Sequence, residues 1–194
     1  MYFYTNGKLA WLKIPKNACT SWSYVFENLG WEKQDLYIPT INLDNLEFFG
    51  FIQDPEKRHT AGIVQYIFNE KLFDLIDNAL YQRLLVSACF DEHSYNLHSM
   101  IPDTIIKRTN WFVMDHEIFN YENLVKNYLK THDVTVTSVP RLNQSSKKIQ
   151  DARVKIQQLK QQYSNSHSKL AKNFLGADLR LYRSRILTQH VWDI

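Results

Sequence analysis

The reading of LKIPKNACTSW, residues 12–22, decides the fold. Residues 9–14 read as a buried strand, and Pro15 ends it because proline has no N–H to give a ladder. From Thr20 onward, Trp22, Val25, Phe26 and Leu29 recur at helical spacing on one face. A strand, a short basic loop and an amphipathic helix in direct succession aim the helix's first-turn N–H groups above the strand end. Such an N-terminus favours phosphate or sulfate, since open donors and the positive end of the helix dipole coincide there. Lys13 and Lys16 add charge, and Thr20 and Ser21 add hydroxyls. An ordinary strand–turn–helix corner with a solvated lysine satisfies the same spacing, so two readings stand at this level.

Outward from that loop, strands alternate with helices. Asn6-Gly7 between apolar runs predicts a type I′ hairpin turn. Residues 31–45 read as loop and 46–53 as a second strand ended by Asp54-Pro55. Proline suits a first helical turn, so a helix is expected from Pro55 to about Phe68. A further helix is expected over 71–90, a polar loop over 91–104, a strand over 111–115 and a helix from Asn120 to about Lys130. The β-branched run 134–139 predicts another strand. Two helices follow, broken near 164–168 and again around Gly176. This order predicts an α/β fold of three layers, a mainly parallel sheet flanked by helices. One domain, 1–194, is expected, with C-terminal helices 146–187 packing on the anion side.

The 194 residues are 44% hydrophobic and 14% aromatic, enough for a real core, and five Gly and five Pro leave little room for linkers. Two cysteines, Cys19 and Cys89, make no disulfide framework, which points to a reducing compartment. Cys19 stands in the loop, where a packing role competes with a nucleophilic one. The N-terminus lacks a basic-then-apolar leader, and no apolar run reaches membrane-spanning length. A soluble, cytoplasmic protein is the expectation. Charge is uneven. From Arg141 to Arg185, 11 Lys/Arg stand against Asp151 and Asp178, a local +9 that leaves −6 for the rest of a chain of net charge +3. A basic third of this kind suits a nucleotide phosphate, an acidic glycan or nucleic acid, and equally a solvated helix face.

A phosphate loop after a first strand suggests a nucleotide kinase, but residues 12–22 contain no glycine, which the GxxxxGK[ST] pattern requires. IPKNACTSW instead resembles the 5′-phosphosulfate loop of the carbohydrate sulfotransferases, PK-x-x-x-T-S/N-W. That family has a P-loop-kinase-like fold and takes its sulfuryl group from 3′-phosphoadenosine 5′-phosphosulfate (PAPS). The resemblance implies Lys16 on the bridging phosphosulfate oxygen. It implies Asn17, Ala18, Cys19, Thr20 and Ser21 around the 5′-phosphate, with Trp22 on the core face or against the adenine. FGFIQDPEKRHTAGIVQY, 49–66, resembles the 3′-phosphate element R-D-P-x-x-R-x-x-S. Asp54, Pro55 and Arg58 match, while Gln53 replaces the phosphate-binding Arg and Ala61 the Ser; Thr60 offers a neighbouring hydroxyl. DEHSYNLHSMIP resembles the D-x-H loop, which makes His93 the implied general base, with His98 and Glu27 behind it. RLNQSSKK, 141–148, is similar to the H-x-N-x-S loop that closes over the donor, implying roles for Arg141, Asn143, Ser145 and Lys147. FLGADLRLYRSR resembles the closing helix.

The expected activity is therefore sulfuryl transfer from PAPS to a hydroxyl of a carbohydrate or small molecule, leaving adenosine 3′,5′-bisphosphate and requiring no metal. The short chain fits a compact bacterial or viral relative. The missing Arg at position 53 removes a charge-assisted contact of about 1.5–3 kcal/mol, which Arg58, Arg141, Lys147 or Lys148 is expected to replace. Two other readings stay open: an inactive nucleotide-binding module of the same fold, and a nucleic-acid binder using the basic C-terminal helices. Nucleic acid is the less expected partner, and oligomeric state is not legible.

Overall fold

The computed structural model describes residues 1–87, 95–115, 120–142 and 146–189. His93, Asn143, Ser145 and Cys89 lie outside the described residues. Five strands form one sheet: Tyr2–Thr5 (β1), Leu9–Lys13 (β2), Glu32–Asp35 (β3), Glu47–Ile52 (β4) and Asn110–Val113 (β5). Their spatial order is β3-β1-β2-β4-β5. β2, β4 and β5 run parallel, whereas β1 pairs antiparallel with both β2 and β3. The fold is α/β as expected, but the sheet is mixed rather than mainly parallel. The N-terminal hairpin sets β1 against β2, and the charged segment EKQD, read as loop, then pairs on β1's open side. A strand without apolar alternation suits a sheet edge, where charge discourages further pairing.

The helices are Cys19–Asn28 (α1), Pro55–Asn69 (α2), Asn78–Ser87 (α3), Leu97–Met100 (α4), Asp103–Arg108 (α5), Tyr121–Thr131 (α6), Lys147–Gln162 (α7), Ser164–Asn173 (α8) and Gly176–Gln189 (α9). Several expectations need correction. The hairpin connection spans Asn6–Lys8, not a two-residue type I′ turn. Only Gly7 there has positive φ (87°), and Asn6 Oδ1 accepts from the Lys8 and Leu9 N–H groups. Helix α3 begins at Asn78, because the Asp77 carboxylate accepts from Leu80 N at 2.8 Å and marks a start there. The polar run after it contains α4 and α5. Among the described residues, 134–139 pair with no strand; Val134, Val136 and Val139 pack on the core. Leu29 falls at the α1 C-cap and is 41% exposed.

Strand alternation sorts the core into two faces. Phe3, Ala10, Leu12, Phe48, Ile52, Trp111 and Val113 meet α4, α5 and α9. Tyr4, Leu9, Trp11, Phe49, Phe51 and Phe112 meet α1 and α6. A third cluster joins α2, α3 and α7 through Ile63, Val64, Ile67, Tyr81, Ala152 and Ile156. Gly50 sits mid-β4 because the Trp111 ring crosses it: a Cβ there would lie 2.8 Å from Trp111 Cζ3. No helix among the described residues is long and apolar enough to cross a membrane.

Candidate anion-binding site

The chain leaves β2 at Ile14 and turns through residues 15–18 into α1, at the carboxyl end of the parallel strands. Crevices of this kind are where open α/β sheets bind ligands. Lys16 and Ala18 both take left-handed backbone, φ 66° and 53°. For non-glycine residues that conformation costs roughly 1–2 kcal/mol each and survives only where neighbours enforce it. Three hydrogen bonds do so here. Asn17, 1% exposed, donates Nδ2 to the Phe51 carbonyl at 2.6 Å, and its backbone N–H donates to Ile14 O at 3.2 Å. Gln53 Nε2 donates to the Lys16 carbonyl at 2.6 Å. Helix α1 has no capping side chain at Ala18 and no acidic residue in its first turn. Within its own first turn, therefore, no carboxylate offsets the positive end of the dipole, and turns of this class gather N–H groups into anion-binding concavities.

An open groove of about 810 Å³ lies against this loop. One wall is Lys16, Ala18, Cys19, Thr20 and Ser21 with Gln53. The second is an α2 face, Lys57, Thr60, Ala61, Val64, Gln65 and Phe68, and the third an α7 face, Ile149, Arg153, Gln157 and Lys160. Leu142 closes one side, and its N–H donates to Ser21 Oγ at 3.3 Å. Lys16 Nζ donates to Gln65 Oε1 at 2.8 Å. Lys57 pairs with Asp115 at 3.0 Å and Lys160 with Glu56 at 3.1 Å. Cations therefore stand at both ends of the α2 face. The eight residue steps from Lys57 to Gln65 span about 12 Å at the helical rise.

Of the site residues expected from sequence, the groove brings together Lys16, Ala18, Cys19, Thr20, Ser21, Gln53 and Thr60. Asn17 lies beneath the loop as its brace. Trp22 is 0% exposed and belongs to the core, its ring centroid 5.1 Å from that of Phe51, and it does not line the groove. Arg58 turns from the groove and is 2% exposed; it donates to the Tyr95 carbonyl and pairs with buried Asp178 at 3.5 Å. Burial pushes the Asp178 carboxyl up, opposed by the Leu97 N–H and Arg58, and burial likewise lowers the Arg58 guanidinium. Arg141 is exposed beside Leu142, and Lys147 is exposed at the α7 start outside the groove lining. Among the two secondary base candidates, His98 pairs with Asp103 on the surface, and Glu27 accepts from Tyr4 Oη. Neither lines the groove.

Lys57, Gln65, Arg153, Gln157 and Lys160 escaped the sequence reading. Their signal was present as helical stripes, positions 57, 60, 61, 64, 65 and 68 on α2 and 149, 153, 157 and 160 on α7. Which two stripes face each other is set by packing. Among the described residues no group of His, Cys, Asp and Glu gathers as a metal site. Neither family models, nor curated proteins, nor solved structures match this chain.

Proposed function

We propose that the chain is a sulfotransferase moving a sulfuryl group from PAPS to a hydroxyl of a carbohydrate or small-molecule acceptor. The observation that carries this reading is the braced, glycine-free loop with Lys16 at the uncapped N-terminus of α1. The groove residues fit a donor with two anionic ends. Lys16, Thr20 and Ser21 would hold the 5′-phosphosulfate, and Lys57, Thr60, Arg153 and Lys160 the 3′-phosphate. Arg153 and Lys160 thus take the place of the Arg missing at position 53, a part that sequence had given to Arg58, Arg141, Lys147 or Lys148. When bound, the donor supplies a sulfuryl group whose sulfur takes the acceptor oxygen in line while the phosphate oxygen leaves. Lys16 places positive charge where negative charge grows on that leaving oxygen, which is where a charge lowers the barrier most. The acceptor proton needs a base within hydrogen-bond reach, and His93 is proposed for it on the resemblance alone.

A second reading has its own support. The Gln53 amide is engaged by the Lys16 carbonyl, and Arg58 is buried on Asp178. Two positions of the 3′-phosphate motif therefore hold structure together, as expected of an inactive nucleotide-binding module. Thermal unfolding with adenosine 3′,5′-bisphosphate, beside adenosine 5′-monophosphate, tests both. A ligand at a hundredfold excess over its Kd adds about 2.7 kcal/mol, on the order of 5–10 °C here. A shift that needs the 3′-phosphate and disappears in Lys16→Met supports the site; no shift with either nucleotide overturns it. Release of the bisphosphate from PAPS with hydroxylated acceptors separates the enzyme from the inactive module.

A further inference from the structure

A second cleft of about 940 Å³ lies on the other flank of α7, where α2 ends. Its floor is apolar. The Phe68 and Phe73 rings meet edge to face at 5.9 Å, beside Ile76 and Ala152, which are 4% and 3% exposed. Phe68 remains 43% exposed, a large apolar surface open to solvent. The rim carries a net charge of +1: Lys71, Lys148 and Lys155 stand against Asp74 and Asp151 in the lining. None of the three lysines carries an ion pair among the described residues. Lys148 and Lys155 stand seven residues apart, two turns along one α7 face, so both reach the same opening.

We infer that this cleft binds a small amphiphilic carboxylate, its apolar body on Phe68 and Phe73 and its anionic group among Lys71, Lys148 and Lys155. Size argues for a small molecule, since ligand clefts of about 300–1,000 Å³ enclose one with apolar walls and a few placed polar groups. Charge complementarity argues for an anion. An aromatic body gains edge-to-face contacts with the phenylalanines, and an acyl body gains only buried area, so the two sources are separable. The site is distinct from the loop groove, although Phe68 borders both, and it stands whether or not PAPS is the ligand there.

The test is displacement of 1-anilinonaphthalene-8-sulfonate fluorescence from the full chain by 2-naphthoate, by dodecanoate and by neutral 2-naphthamide. Both carboxylates should displace the dye at least tenfold more strongly than the amide. Lys148→Glu with Lys155→Glu should weaken the carboxylates tenfold or more, and Phe68→Ser should do the same to naphthoate. Lys107→Glu, on α5 and in the lining of neither groove, should leave the carboxylate displacement unchanged. All these positions are solvent-exposed, and circular dichroism checks that each variant folds. Tighter naphthoate identifies an aryl ligand and tighter dodecanoate an acyl one, and either supports the site. Equal displacement by naphthamide, or carboxylate affinity unmoved by the lysine and Phe68 variants, overturns it.

Discussion

Gly50 and the Arg58–Asp178 pair show how much rests on single side chains. With a Cβ contact of 2.8 Å awaiting it, Gly50→Ala must push the Trp111 ring aside. Overpacking of this kind costs about 1–3 kcal/mol, so its urea midpoint should fall while the far-UV spectrum is kept. The buried pair ties α2 to α9 and to the segment before α4, yet Arg58 Nη1 and Asp178 Oδ1 have no hydrogen-bond partner among the described residues. Asp178→Ala strands the guanidinium and should cost about 3–5 kcal/mol. Arg58→Met with Asp178→Leu should recover most of that, because a buried pair is often no better than apolar residues of its volume. Urea titrations of the single and the double variant read both values. A double mutant no more stable than Asp178→Ala would show that the pair does more than fill space.

Helix starts are where this chain is most explicit at the level of elements. The Asp54 side chain accepts from Glu56 N at 2.8 Å and Lys57 N at 3.2 Å, with Pro55 in the first turn of α2. Ser146 does the same for α7, accepting from Ile149 N at 3.4 Å. Removing such a cap costs about 0.5–2 kcal/mol, so Ser146→Ala should lower stability by about 1 kcal/mol by denaturant titration. Because α7 carries Arg153 and Lys160 into the groove, the same variant should also weaken the bisphosphate-induced thermal shift. A full shift in that variant would mean that α7 is no part of the anion site. Asn120 likewise caps α6, where the sequence reading placed it.

For the molecule as a whole, buried phenols set an alkaline limit. Burial pushes Tyr81 up to about 12, and Tyr4, Tyr121, Tyr128 and Tyr182 are raised as well, in each case chiefly by burial. An unfolded tyrosine titrates near 10, so above that pH the unfolded chain binds fewer protons than the folded one. Tyr81's contribution is complete below pH 10 and is lost as pH rises through about 12. The urea midpoint should therefore fall between pH 10 and 12, and Tyr81→Phe should make that fall shallower. An unchanged slope in the variant would show that Tyr81 titrates normally.

Local chemistry made much of this fold legible. Proline after β2, aspartate-proline before α2, and the 3.6-residue recurrence of Trp22, Val25 and Phe26 all act within a few residues, so the loop, its strand and its helix could be read directly. The donor types at the loop were legible for the same reason. Only tertiary structure decided the sheet's mixed direction, since EKQD becomes a strand by pairing with β1 and has no pattern of its own. Packing also sent Arg58 inward to Asp178, 120 residues away in the chain, and brought the α7 stripe of Arg153 and Lys160 to face α2. A residue's type and spacing fix which backbone it favours and what chemistry it carries. Which distant partner it meets depends on how buried faces match, and that match is a property of the assembled core.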